Sequence, residues 1–282
     1  MDILFVCTGN TCRSPMAEGY FNSKNIKNLR ALSCGFSSAG VSASENAVEV
    51  MKEIGVDISA HKSRYISKEL LFADKIYCMT ENHRAAMLSV AQNESKVSVL
   101  GGGIRDPYGQ DISVYRACRD EIINAINNLL YGGELLPVKI DKATEGDASH
   151  IAGLEKECFS SPWSENAVLE GMRHNTVFFK AVSDFEFAGY AGVTAVAGEG
   201  YINNIAVTAR HRQKGVGSLL LNRALDFARE EKLDFLSLEV RRSNTAAISL
   251  YKKLGFKTEG ERKGFYDNPK EDGIIMTRRL TV

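Results

Sequence analysis

Apolar residues in the first part of the chain come in short runs separated by stretches with helical spacing. Ile3-Leu4-Phe5-Val6 predicts a buried strand over 3–7, and Pro15 followed by Ala17, Tyr20 and Phe21 predicts a helix over 15–25. A second helix is expected over 46–54, closing at Gly55. Lys75-Ile76-Tyr77-Cys78-Met79 reads as a short strand before a helix from about Glu81. Val97-Ser98-Val99-Leu100 is a further strand, and a long helix covers 112–131. Strands separated by helices predict a parallel sheet covered on both faces, with ligands beyond the strands' C-terminal ends.

The pattern changes after Gly132-Gly133-Glu134-Leu135-Leu136-Pro137, the best linker candidate, so domains are expected over 1–133 and 134–282. A strand at 138–140 and a helix at 147–158 are followed by Ser160-Ser161-Pro162-Trp163-Ser164 and another helix. Strands near 177–182, 187–197 and 200–207 precede a helix over 216–230, a strand over 235–240, a helix over 245–254 and a last strand over 273–280. This second half is mixed α/β with an antiparallel first part. The fold class is α/β throughout, a parallel-sheet domain followed by a mixed-sheet domain.

A length of 282 residues suits two domains that each bury a core. With 35 basic and 35 acidic residues the chain lacks a basic nucleic-acid footprint. Six cysteines in so long a chain do not resemble a disulfide scaffold and suit reduced thiols. The first residues run into a strand without a basic n-region, and no apolar stretch reaches membrane-spanning length. A cytoplasmic protein with neither nucleic-acid nor membrane partners is expected, and no metal-ligand set is picked out.

The chemistry begins at Cys7-Thr8-Gly9-Asn10-Thr11-Cys12-Arg13-Ser14, which turns from the first strand into a helix. Only a thiolate is nucleophilic, and a free cysteine has a pKa of about 8.5. Converging N–H groups, a helix N-terminus and Arg13 favour a thiolate, and they also bind a phosphoryl group. Arg13 can clamp two phosphate oxygens in a way no lysine can. Gly9 allows close approach of backbone to anion, while Asn10 and Ser14 can hold the loop, with Ser14 near the sulfur. The implied reaction is phosphoryl transfer to Cys7 followed by hydrolysis, with Asp106 in Arg105-Asp106-Pro107-Tyr108-Gly109 as candidate general acid.

The same residues, with Pro15-Met16-Ala17-Glu18, Ser38-Ala39-Gly40 and Asp106-Pro107-Tyr108, closely resemble the low-molecular-weight protein tyrosine phosphatases over about residues 1–131. The resemblance implies Cys7 as nucleophile, Arg13 as phosphate clamp and Asp106 as acid, with Thr8, Gly9, Asn10, Thr11, Cys12 and Ser14 binding substrate. Tyrosine-directed members usually carry an aliphatic residue where Thr11 stands. The protein arginine phosphatases of the family read Cys-Thr-Gly-Asn-Thr-Cys-Arg-Ser, as this chain does. A hydroxyl in the pocket wall favours a polar guanidinium; phosphotyrosine stays the alternative if Thr11 only packs or caps the loop. Arsenate reductases share the loop but need two closely spaced resolving cysteines, whereas Cys78 and Cys118 lie forty residues apart. Cys12 is either a reversible disulfide partner for Cys7 or a small loop residue.

A second anion cradle is Arg212-Gln213-Lys214-Gly215-Val216-Gly217, between the strand ending at Val207 and an amphipathic helix carrying Val216, Leu219, Leu220, Ala224 and Phe227 on one face. It is neither a Walker A loop nor a dinucleotide fingerprint. With Asn203 to Val207, Leu238-Glu239-Val240-Arg241, Asn244 and the run Ala247 to Phe256, it resembles the GNAT superfamily of acetyl-CoA-dependent N-acetyltransferases. Within that superfamily the match is best to the ribosomal-protein-alanine N-acetyltransferases, over about 137–280. Pro162-Trp163-Ser164 and Glu271-Asp272-Gly273-Ile274-Ile275-Met276 extend it. Two departures stand out: Gly273 replaces the usual alanine, and Phe265 a second tyrosine.

The resemblance implies acetyl-CoA as cosubstrate, held by Ile205, Ala206, Val207, Gln213, Lys214, Gly215, Val216, Gly217, Ser218 and Asn244. It implies Glu239 as general base and Tyr251 as the acid that protonates the CoA thiolate. Asn244 also suits a helix N-cap. The expected protein is bifunctional: it dephosphorylates protein, with phosphoarginine favoured, and acetylates the N-terminal alanine of a ribosomal protein. The alternatives are a tyrosine phosphatase joined to a broader amine acetyltransferase, or a scaffold with one inactive half.

Overall fold

A computed structural model describes all residues except Ser38, Gln92, Leu136, Thr281 and Val282. Ser38 of the Ser38-Ala39-Gly40 motif and Leu136 of the linker thus lie outside the described residues. The chain divides into two compact units, Met1–Leu129 and Leu130–Val282.

In the first unit, β1 (Asp2–Cys7), β2 (Arg30–Gly35), β3 (Lys75–Cys78) and β4 (Val97–Val99) form one sheet in the order β2-β1-β3-β4, parallel throughout. Helices α1 (Arg13–Ser23), α2 (Glu45–Glu53), α3 (Glu81–Leu88) and α4 (Ile112–Tyr131) cover it, the last two residues of α4 belonging to the second unit. Ile3, Leu4, Phe5 and Val6 are fully buried because β1 is central and has neighbours on both faces. Helix α1 starts at Arg13, two residues before the expected position, with Cys12 as its N-cap residue. Pro15 therefore falls inside the first turn, where a missing N–H costs no helical bond. Strand β2 escaped sequence reading because Arg-Ala-Leu-Ser-Cys-Gly shows neither an apolar run nor alternation.

The second unit carries β5 (Lys139–Lys142), α5 (Ala148–Cys158), α6 (Glu165–Arg173), β6 (Thr176–Ser183), β7 (Glu186–Val196) and β8 (Glu199–Val207). They are followed by α7 (Val216–Glu230), β9 (Phe235–Arg241), α8 (Thr245–Lys253), β10 (Lys257–Asp267) and β11 (Lys270–Arg279). The seven strands lie in the order β10-β11-β9-β8-β7-β6-β5, and β8 with β9 is the one parallel pair among them. That pair joins only Glu199–Tyr201 to Phe235–Ser237, after which the two strands no longer match residue for residue. A register shift between the Gly192 and Val193 pairs bends β8 at Asn203. Strand β10 was not expected from sequence: it is an edge strand, largely exposed and rich in charge. The expected apolar face of α7 is buried, and Leu221 and Leu225 widen it.

Candidate active sites

Cys7 ends β1, buried, with its sulfur 2.9 Å from Ser14 Oγ and receiving the Asn10 N–H at 3.3 Å. The loop is held from beneath by Asn10, which is 0% exposed and adopts the left-handed conformation at φ 51°. Its amide nitrogen donates to Ser14 Oγ at 2.9 Å and Ser33 Oγ at 2.7 Å, and its side-chain oxygen accepts from Arg64 N at 2.8 Å. Ser33 in turn donates to Glu18 at 2.5 Å, and Arg64 pairs with the same carboxylate at 3.1 Å. His61 Nε2 meets the Asn10 carbonyl at 3.0 Å, and burial pulls its pKa down. Such a network fixes the loop because every buried polar atom has a partner that leaving would orphan.

Arg13 is buried, donating to Ile104 O at 3.2 Å and to Asp106 Oδ2 at 2.5 Å. Asp106 is half exposed, and its other oxygen accepts from Tyr108 N at 3.2 Å. The structure thus brings Cys7, Arg13 and Asp106 to one end of the sheet. Thr11 is half-buried with its hydroxyl 3.7 Å from Cys12 Sγ, a long and weak contact. Cys12 lies beneath the loop, donating to Ser44 Oγ at 3.3 Å and 3.4 Å from Tyr115 OH. Burial, with Cys12 adding to it, pushes the Tyr115 phenol up to about 12. Burial likewise pushes the Cys34, Cys78 and Cys118 thiols up to about 12, so they are protonated packing residues.

Sequence reasoning missed His83 on α3. Its Nε2 is 2.8 Å from Thr8 Oγ1 and its Nδ1 2.8 Å from Thr80 Oγ1, and its ring stacks on Phe36. Burial first, then the Arg13 charge, lowers its pKa, so the neutral ring spans two hydroxyls. No spacing in the sequence links positions 8, 36 and 83; only the parallel sheet brings them together.

In the second unit the chain leaves β8 at Val207 and turns at Gln213 (φ 60°) and Gly215 (φ 90°) into α7. Gly215 is the N-cap residue, and its left-handed conformation aims the first-turn N–H groups of Val216, Gly217 and Ser218 outward. Arg212 donates to the Val207 carbonyl at 3.0 Å and ties the loop back to β8. Gln213 and Lys214 are exposed, Ile205 and Val207 half-buried, and Ala206 buried; the three β8 residues lie beyond Tyr201, the last residue of β8 paired to β9. Asn244 caps α8, accepting from Ala247 N at 3.1 Å.

Glu239 lies on β9 beyond the last β8 pairing, half-buried, with Arg262 of β10 at 3.5 Å. Tyr251 on α8 is almost wholly buried against Phe256, and burial raises its phenol pKa, with Tyr266 contributing. Tyr266 is itself raised by burial and then by the Glu239 carboxylate, which places it within electrostatic reach of both. Neither Arg262 nor Tyr266 was singled out from sequence, because both lie on the unexpected β10. The two departures at Gly273 and Phe265 lie against each other, since a Cβ at 273 would stand 3.1 Å from the Phe265 ring. Arg262 lies over that ring at 5.3 Å.

Among known proteins, the family model for low molecular weight phosphotyrosine protein phosphatase matches residues 2–143, and the acetyltransferase (GNAT) family model matches residues 149–256. A protein-arginine-phosphatase of Geobacillus stearothermophilus is 41% identical over 138 residues, 45% of this chain and 92% of that protein. A [ribosomal protein bS18]-alanine N-acetyltransferase of Escherichia coli K12 is 33% identical over 131 residues, 46% of this chain and 88% of that protein. The crystal structure of the Escherichia coli ribosomal-protein-S18-alanine N-acetyltransferase aligns at 29% identity with a TM-score of 0.49, covering 51% of this chain and 95% of that one. The chain therefore belongs to the low-molecular-weight phosphotyrosine protein phosphatase family over its first half and to the GNAT acetyltransferase family over its second.

Proposed function

We propose that the chain is a bifunctional enzyme, a protein arginine phosphatase over 1–133 and an N-terminal-alanine acetyltransferase over 134–282. The observation that carries the first activity is the convergence of Cys7, Arg13 and Asp106. The Cys7 thiolate attacks phosphorus while Arg13 exchanges Asp106 for phosphate oxygens. The bond from phosphorus to the leaving nitrogen breaks, and Asp106 delivers the proton that nitrogen needs. Water then attacks the phosphocysteine, Asp106 accepts its proton, and the P–S bond breaks. Ser14 and the Asn10 N–H stabilise the sulfur as it attacks and leaves. The weakly engaged Thr11 hydroxyl supports phosphoarginine, since it can give up its long sulfur contact for a guanidinium N–H. The free cysteines suit the reducing cytoplasm, where such a nucleophile survives.

For the second activity, acetyl-CoA, the cosubstrate of GNAT enzymes, fits the residues present. The outward N–H groups of the α7 N-terminus suit its pyrophosphate, and the opening between β8 and β9 suits its extended arm. Glu239 takes a proton from the substrate ammonium, through water or directly, and the resulting amine attacks the thioester carbonyl. The C–S bond then breaks, the nitrogen releases its second proton to solvent, and Tyr251 gives a proton to the departing thiolate. Phosphopeptides bearing phosphoarginine, phosphotyrosine and phosphoserine, run beside an acetyl-CoA assay on an Ala-initiated peptide, test both halves on one preparation. Cys7→Ser should abolish phosphate release and spare acetylation; persistence of turnover in that variant overturns the phosphocysteine mechanism.

A further inference from the structure

Arg241 follows the proposed base Glu239 by two positions on β9, so both side chains leave the same face of the strand. Its guanidinium, largely buried, reaches two separate segments. One nitrogen donates to Pro269 O at 2.9 Å and Glu271 Oε2 at 3.3 Å. The other donates to Asn268 O at 2.9 Å and Ser160 Oγ at 3.1 Å. Its central carbon, Cζ, lies 4.3 Å from the centre of the Tyr266 ring. The turn between α5 and α6 is thereby tied to the turn between β10 and β11, on the side where Glu239 emerges.

The α5–α6 turn has a second anchor. Glu155, 1% exposed, accepts the Trp163 N–H at 2.9 Å and the Asn204 side-chain amide at 2.7 Å. The Trp163 end is thus fixed into the core through β8, while Arg241 holds the Ser160 end. Glu271, besides meeting Arg241, accepts the Ser243 N–H at 2.5 Å and adds the start of α8 to the assembly.

We propose that Arg241 is a positioning residue for acetyl transfer, a clasp that joins these two turns into one wall of the entry for the substrate peptide. The proposal rests on Glu239 as the base. Only a planar fork can serve four acceptors on two segments at once; a lysine ammonium is a single point of charge. The head of α7 takes no part in the clasp, and Asn244, beside Ser243, keeps its own bond from Ala247 N. Loss of Arg241 should therefore loosen the peptide side alone.

The test compares Arg241→Lys and Arg241→Gln with the unaltered full chain. The KM for an Ala-initiated peptide should rise about 10-fold to 100-fold, the usual scale of a misplaced substrate. The calorimetric Kd for acetyl-CoA should stay within about 2-fold, and lysine should not rescue. Amide hydrogen exchange should quicken over 159–164 and 267–270 together. Ser160→Ala, which removes one bond only, should quicken 159–164 and leave 267–270 unchanged. An unchanged peptide KM with unchanged exchange overturns the proposal, and so does a parallel loss of acetyl-CoA affinity, which would mark a merely structural residue. If Glu239→Gln keeps full activity while the exchange pattern holds, the base assignment fails and the clasp stands.

Discussion

Gly35 is the residue on which the phosphatase loop rests, and Gly35→Ala gives a quantitative test of that support. A Cβ there would lie 2.6 Å from the Thr8 carbonyl oxygen and 2.8 Å from Asn10 N, where ordinary contact begins at 3.4 Å. The loop must yield by the difference, 3.4 − 2.6, or 0.8 Å at Thr8. It cannot do so cheaply, since the Thr8 carbonyl accepts from Phe36 N at 2.7 Å, Ser37 N at 3.0 Å and Ser37 Oγ at 3.1 Å. Overpacking of this kind costs about 1–3 kcal/mol in stability. The push on Asn10 N also disturbs the N–H that meets Cys7 Sγ, and displacement on the ångström scale costs about 10²-fold in rate. Three readouts are needed: thermal unfolding, phosphatase kcat/KM, and the rate of Cys7 alkylation by iodoacetamide. Acetylation on the same preparation serves as internal control and should not change. If alkylation and phosphatase rates stay at wild-type values, the close approach of β2 to the loop has no bearing on the nucleophile and the reasoning fails.

Asp106→Asn should slow phosphoenzyme formation by about 10²–10⁴-fold, and less for substrates whose leaving group needs no proton; an unaltered single-turnover burst on phosphoprotein removes Asp106 from the mechanism. Thr11→Ile should shift preference from phosphoarginine toward phosphotyrosine, since it trades a hydroxyl for an apolar wall, and an unmoved ratio of kcat/KM values would leave the arginine assignment without its support. Glu239→Gln should lower kcat for acetylation with little change in acetyl-CoA affinity. Activity should recover in part as pH rises and more substrate amine is already neutral, so a pH-independent defect counts against a base. A bulky side chain at Gly217, whose Cβ direction meets Leu250 and Val207 at 3.5 and 3.9 Å, should block acetyl-CoA in calorimetry.

The elements legible in the sequence were those with a strong apolar signature, such as β1 with Ile3 to Val6 and α7 with its apolar face. Strands β2 and β10 were not: β2 buries Ala31 and Cys34 without spelling an apolar run or an alternation, and β10 is largely exposed. Ser33 and Gly35 earn their places by what they bond to or leave room for on the neighbouring loop. Strand β10 is an exposed edge held by pairing to β11. The candidate site residues within contiguous motifs, Cys7 to Ser14 and Gln213 to Ser218, stand out in the sequence as motifs. The residues that surround each candidate site, His83 and Asn10's partners in one and Arg262, Tyr266 and Arg241's contacts in the other, come from distant segments. Their meeting depends on strand order, which single-residue patterns do not encode.

The early parting of β8 from β9 gives the second sheet an unusual property. A sheet normally exposes unpaired backbone only at its two margins, where any extended chain can add itself. Here two more rims face an opening in the middle, between four strands on one side and three on the other. A slender chain with amide groups along its length can bond to such rims as a strand does, and the pantetheine arm of acetyl-CoA has that form. On the proposed reading, the enzyme receives its acyl donor as a visiting eighth strand, recognised through main-chain groups that point mutations do not remove.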